Sequence, residues 1–269
     1  MKPRRRPMFL DLRQTEIEGA ASHDGSLFLG RFSPEALHRE LEDAGILAAL
    51  VDRGYPEAEI RTETEAGEHR LLVYPRGEAV SLVDLRLGEA SALVDEPLAR
   101  EQGLDILSLL AVHWLSLQHP LAHFTAERSR LPGQTYPSLR LGRLLMARVV
   151  AWAEAWGKDG LVNFPEFFHN ALFYSEIFHF LSPARQGRFE ALARDLAPLG
   201  VAQASWALEE GRVVEESSGR PVAWEAGEMV APLTPRLKGY LASPGYRREA
   251  ARASEAFRSR VLEKALARY

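Results

Sequence analysis

Residues Ser138 to Phe180 read SLRLGRLLMARVVAWAEAWGKDGLVNFPEFFHNALFYSEIFHF, and the order of patterns in this stretch decides the fold. Leu144, Leu145, Val149, Trp152 and Trp156 recur at helical spacing, and Gly157 supplies the stop, so the first half predicts an amphipathic helix. LVNFP, from Leu161 to Pro165, is short, apolar and bounded by turn residues, which predicts a buried strand. The aromatic run from Pro165 to Pro183 then predicts a second helix. Helix, strand and helix in succession are the elements of an α/β layer.

Upstream, SLFLGRF (Ser26 to Phe32) predicts a short strand, and Ser33-Pro34-Glu35 an N-cap followed by Pro in the first helical turn. That helix runs, broken near Gly45, to about Arg53. The alternating stretch from Ala58 to Ala90, with turns at Ala66-Gly67 and Arg76-Gly77, predicts two or three antiparallel strands. Gly103 to Pro120, GLDILSLLAVHWLSLQHP, stays open. Val112, Trp114 and Leu117 point to a strand in its second half, but a continuous apolar run fits a buried helix equally well. Downstream of Gly200, QASWALEEGRVVEESSGRPVAWEAGEMV predicts a β-hairpin or meander, and a basic helix is expected over about Tyr246 to Tyr269.

The composition narrows the chemistry. The chain has 269 residues and is 46% hydrophobic, enough for a substantial core. It contains no cysteine, which removes disulfide scaffolds, thiol nucleophiles and thiolate metal sites together. A formal charge of −4 gives no general affinity for nucleic acid, and the basic C-terminal helix reads as a solvated packing helix. No apolar run is long enough to span a membrane, and the basic start MKPRRRP lacks the apolar segment of a secretory signal. A cytoplasmic protein with no membrane or nucleic-acid partner is the expectation.

Glu-x-x-His occurs twice, as Glu166/His169 and Glu176/His179. On one helix the copies would stand about 15 Å apart along the axis, too far to share a metal pair. The spacing of His113, His119 and His123 matches no metal motif either, so no metal is expected, and a mononuclear His/carboxylate enzyme is kept only as a third reading. Six of the twelve Phe lie between Phe164 and Phe180, so this stretch reads first as packing or as the wall of an apolar pocket. Neither a Gly-x-Ser-x-Gly elbow nor a phosphate-loop or dinucleotide glycine pattern is present.

The order strand, helices, antiparallel strands, strand, loop, helix, strand, helix resembles the GCN5-related N-acetyltransferase (GNAT) superfamily. The local match is Ser138 to Phe180, and the wider resemblance covers residues 25 to 200. It implies an α/β (α+β) fold with a mixed central sheet flanked by helices, here preceded by a leader (residues 1–24) and followed by a C-terminal extension of hairpin plus helix (residues 201–269). It also implies acetyl-CoA or another acyl-CoA as co-substrate, with its pyrophosphate on the loop and helix start formed by Ser138, Arg140, Leu141, Gly142, Arg143 and Leu144. Backbone N–H groups at a helix N-terminus favour an anion. Arg140 stands where the family usually has a second glycine. Tyr174 is the residue the resemblance marks as acid toward the departing CoA thiolate, although Asn170 is displaced by about one residue from the family's spacing and no Gly precedes Phe180.

If the chain is an acyltransferase, its partner is a small-molecule or protein amine, and Glu166, His169 and His119 are the candidate bases. A non-catalytic relative that binds a ligand or a partner in the aromatic pocket is the alternative. Homodimerisation is expected from fold analogy alone.

Overall fold

A computed structural model describes residues 10–13 and 27–262. Most of the leader and the last seven residues lie outside the described part, as does the start of the strand expected at Ser26.

Strand β1 (Leu10–Arg13) precedes a tight turn at Phe28–Phe32, closed by reciprocal backbone bonds between these two residues. The expected strand here is therefore a turn, with Leu29 at φ 53° and Gly30 at φ 65°. Helix α1 (Pro34–Asp43) starts as the sequence dictates, with the Ser33 hydroxyl accepting from Ala36 N–H at 3.2 Å. Gly45, at φ 71°, separates it from α2 (Ile46–Val51). Strands β2 (Ala58–Glu65), β3 (Glu68–Pro75) and β4 (Val83–Val94) follow, and the first turn lies at Ala66-Gly67. After α3 (Pro97–Glu101) comes β5 (Ile106–Leu117), so the ambiguous apolar run is strand through both halves.

A long connection, residues 118–141, leads to α4 (Gly142–Ala155) and β6 (Gly160–Asn163). Next are α5 (Phe168–Tyr174), β7 (His179–Phe180), α6 (Pro183–Leu196) and α7 (Gly200–Glu209). The described part ends with β8 (Val213–Glu215), β9 (Met229–Pro232), α8 (Pro235–Leu241), α9 (Pro244–Ala256) and β10 (Ser259–Val261).

Three expectations are corrected here. The aromatic stretch from Pro165 to Pro183 is not one helix, because α5 ends at Tyr174 and β7 intervenes. Glu166 and Glu176 lie outside α5 and His179 is on a strand, so neither Glu-x-x-His pair lies within one helix. The stretch read as a C-terminal hairpin opens as α7; β8 then pairs with β10, and β9 joins the main sheet. The basic helix expected over about Tyr246 to Tyr269 is α9, which ends at Ala256 and gives way to β10; residues 263–269 of that expectation lie outside the described residues.

The fold is α+β. Seven strands lie side by side in the order β2-β3-β4-β5-β6-β9-β7, and β1 adds to β4. Neighbours are antiparallel except β5 and β6, which the crossover through α4 makes parallel. Alternation sends Leu110, Val112 and Leu161 into one core with α1, α2, α4, α5, α6 and α7. Leu107, Leu109, Ala111 and Val162 enter a second core with α3, α8 and α9. Where both faces are covered, β5 is the continuous apolar run Leu109–Val112, which is why periodicity could not separate strand from helix.

Two close approaches require glycine. A Cβ at Gly160 would stand 2.5 Å from the Ala231 carbonyl of β9, and one at Gly187 would stand 2.0 Å from the Ala250 carbonyl, where α6 packs on α9.

Candidate functional site

Strands β5 and β6 pair only from Leu109/Gly160 to Val112/Asn163. Beyond Asn163 the chain turns away through Phe164-Pro165, and Pro165 has no N–H to continue a ladder. Strand β5 goes on alone to Leu117, held on its other edge by β4. At the parting the register slips, with Arg86 facing Trp114 and Leu87 facing Val112, so that His113 is the extra residue of a bulge. Gln118 N–H donates to Leu82 beside β4, and Leu117 C=O accepts from Leu139 N–H on the opposite side. Strand alternation then turns the main-chain groups of Leu115 and Leu117 toward the gap.

The gap is a groove of about 1490 Å³. Its walls are the second half of β5, the 118–141 connection, the start of α4, and the segment from Asn163 through α5 to Ile177. The outer ends of parallel strands that part in this way are where α/β sheets bind ligands.

At the α4 end the surroundings favour an anion. The N-cap position is Leu141, which offers no side-chain cap to the first-turn N–H groups, and that turn carries no acidic residue. Arg140 is exposed and lies at φ 56°, in the left-handed region that favours glycine. Its N–H donates to Ser138 Oγ at 3.2 Å, and Arg53 braces the turn by donating to the Leu139 carbonyl at 2.7 Å. Arg128 donates to the Ser138 carbonyl, and burial followed by repulsion from Arg140 holds its pKa below the ordinary value. Neither Arg128 nor Arg140 has a carboxylate partner among the described residues. Arg143 reaches Glu176 at 2.7 Å across the rim, an exposed pair of small energetic weight.

The wall formed by α5 and the segment before it is aromatic. Tyr174 lines the groove there, and burial raises its pKa to about 12, so the hydroxyl stays protonated. His169 lies stacked on Phe167, with centroids 5.4 Å apart, and edge-on to Phe173. Only 4% of His169 is exposed, its Nδ1 has no hydrogen-bond partner, and burial lowers its pKa to about 4. Asn163 is equally buried, and both Nδ2 and Oδ1 of its amide are unpaired.

The structure therefore gathers Ser138, Arg140, Gly142, Arg143, Glu166, His169 and Tyr174 around one groove. Leu141 lies in the core, and Leu144 packs against it; neither lines the groove. His119 also lies off its walls. It shares a 2.8 Å hydrogen bond with the Tyr55 hydroxyl, and its pKa is lowered by burial and then by Arg128 and Arg53. Sequence reasoning missed Arg128 and Asn163. Arg128 sat in an unpatterned loop, and Asn163, in the quoted LVNFP strand, is one of only two asparagines in the chain.

Among the described residues no three His, Asp or Glu side chains gather as a metal-binding group, and no helix is long and apolar enough to cross a membrane. No family model matches the chain, and neither does any curated protein.

Proposed function

We propose that the groove binds an acyl-CoA and that the protein transfers the acyl group to an amine. The observation that carries this reading is a single groove that holds the uncapped N-terminus of α4, flanked by Arg128 and Arg140, together with Tyr174. Gly142 lies beside Leu117, whereas Asn163 pairs with Val112. Five residues of strand separate these points, about 17 Å at a rise of about 3.3 Å per residue. Phosphates at the first point and an extended carrier arm along the free edge of β5 bring the thioester to the second.

In the reaction the amine nitrogen attacks the thioester carbonyl. The C–N bond forms, the C–S bond breaks, the amine gives up one proton, and the leaving sulfur takes one from the Tyr174 hydroxyl. His169 is too weak a base to accept the amine proton near neutral pH, and His119 lies off the groove walls, which leaves Glu166 or water. A cytoplasmic setting and a homodimer belong to this reading.

The first test is calorimetric titration with acetyl-CoA and CoA. A Cβ at Gly142 would meet only Leu117 Cδ1, at 3.6 Å, so Gly142→Asp places a negative charge at the phosphate position without a clash. An acidic residue in the first helical turn also suits the helix, so folding should hold while affinity falls about tenfold or more, equivalent to about 1.4 kcal/mol. Folded wild-type protein that binds neither ligand refutes the proposal. A second reading, a non-catalytic binder using the same groove, is favoured by the weak basicity of His169. Binding of acetyl-CoA without turnover of any amine supports it.

A further inference from the structure

Elsewhere among the described residues, buried polar side chains find partners. Asp84 takes a bidentate pair from Arg70, Gln186 bonds Phe180 N–H and Glu190, and the Tyr240 and Tyr246 hydroxyls donate to the Leu181 and Phe180 carbonyls. The partnerless guanidinium nitrogens of Arg86 and Arg148 belong to side chains already in ion pairs. Asn163 and His169 differ: no hydrogen bond satisfies either side chain, both are 4% exposed, and both line the groove. Leaving such groups unmet is costly, and native proteins seldom do it without a ligand or ordered water to fill them.

Asn163 lies beside Val112, five residues of β5 from Leu117 at the helix N-terminus, and His169 lines the same groove six residues further along the chain. The neighbours recorded for His169 are the rings of Phe167 and Phe173, and burial alone shifts its titration. Glu166 is exposed on the same groove, but no ion pair or hydrogen bond among the described residues ties a charged group to Asn163 or His169, so an ion held by these two alone would lose its water without a partner of opposite charge. The Asn163 amide offers two donors and an acceptor side by side, and neutral His169 adds a nitrogen that serves either role according to tautomer. A carboxylate brings acceptors only and leaves Asn163 Oδ1 unmet; an ammonium brings donors only and leaves Nδ2 unmet. A neutral amide, with one C=O and at least one N–H, satisfies both.

We propose that Asn163 and His169 form a subsite for a neutral amide on the acceptor, so that the groove selects amines flanked by a carboxamide or peptide bond over amino acids with a free carboxylate. The word acceptor rests on the acyl-transfer reading; the amide subsite itself does not.

The chain's two asparagines, Asn163 and Asn170, give a protein labelled at the asparagine amide nitrogen just two side-chain signals, and Asn170→Ser assigns them. N-methylacetamide, acetate and methylammonium are titrated separately at equal concentration, with and without saturating CoA. N-methylacetamide should shift the Asn163 signal and the His169 ring protons, while acetate and methylammonium leave both in place, and the response should persist with CoA bound. Equal shifts from all three probes, or none from any, overturn the proposal. Loss of the response when CoA binds also overturns it, because the amide read is then CoA's own. CoA binding is measured in the same samples, so a protein that binds N-methylacetamide but not CoA refutes the acyl-CoA reading and keeps the amide subsite.

Discussion

Replacing His169 with Phe should make the protein more resistant to acid, by an amount the structure sets. The imidazole is buried among aromatic rings and titrates at about 4 in the folded state. In the unfolded chain a histidine titrates near 6.5, so between the two values the unfolded state binds the extra proton. The stability contributed by keeping the ring neutral is fully present above about 6.5 and is lost as pH falls toward about 4. At about pH 5 the loss is about 2 kcal/mol, and its limit at lower pH is about 3 kcal/mol. Phenylalanine keeps the packing against Phe167 and Phe173 and has nothing to protonate. Urea unfolding of both proteins at about pH 7 and about pH 5 isolates the effect, since the carboxylates are common to both. With a slope of about 3 kcal/mol per molar urea, the midpoint of the wild type should fall about 0.6 M further than that of His169→Phe. Equal losses in the two proteins would show that His169 is not held neutral by burial, and the argument for an uncharged subsite would lose its support.

Arg140→Gly should raise stability by about 1 kcal/mol in thermal unfolding, because it relieves a left-handed conformation at φ 56°; it should also weaken CoA binding if the Arg140 side chain pairs with a phosphate. Gly187→Ala should cost about 3 kcal/mol or prevent folding, since its Cβ has no room beside the Ala250 carbonyl; a midpoint unchanged in urea would contradict the packing of α6 on α9. If the protein is an acyltransferase, Tyr174→Phe should lower kcat about a hundredfold with little change in CoA affinity, and an unchanged kcat would remove Tyr174 from the chemistry. Glu166→Gln, at an exposed position, should leave stability within about 0.5 kcal/mol, so any loss of turnover reports on proton transfer.

Local chemistry was legible wherever a single residue type settles it. Ser33-Pro34 starts α1, Gly45 ends the run into α2, and Ala66-Gly67 turns β2 into β3. Elements whose conformation depends on distant partners were not legible. The aromatic density after Pro165 marked burial, and burial does not distinguish a helix from a strand. Strand β7 exists because His179 and Phe180 meet β9, about fifty residues downstream, and Ser182-Pro183 then opens a new helix. The segment after Gly200 showed Gly and Glu turns but not the position of β9 between β6 and β7. The groove was legible in part. Arg140, Gly142, Arg143 and Tyr174 cluster between Ser138 and Phe180, whereas Arg128 sits in an unpatterned loop and the importance of Asn163 comes from the partners it lacks, which no spacing records.

The groove follows from a mismatch in length. Strand β5 has 12 residues and β6 has four, so the parallel ladder stops at Val112 with His113 to Leu117 of the longer strand still to run. Pro165 prevents β6 from continuing, and the His113 bulge bends β5 at the same level. The helix that returns the chain from β5 to β6 must start near the far end of β5, which sets its bare N-terminus at one end of the opening. Asn163 is the last rung of the shared ladder and the first residue of the groove: its backbone pairs with both neighbouring strands, and its side chain lies on the face it shares with Leu161. A side chain anchored in this way has little freedom to turn toward solvent. Its unpaired amide is therefore a fixed feature of the wall, and a ligand placed along β5 meets it in one orientation.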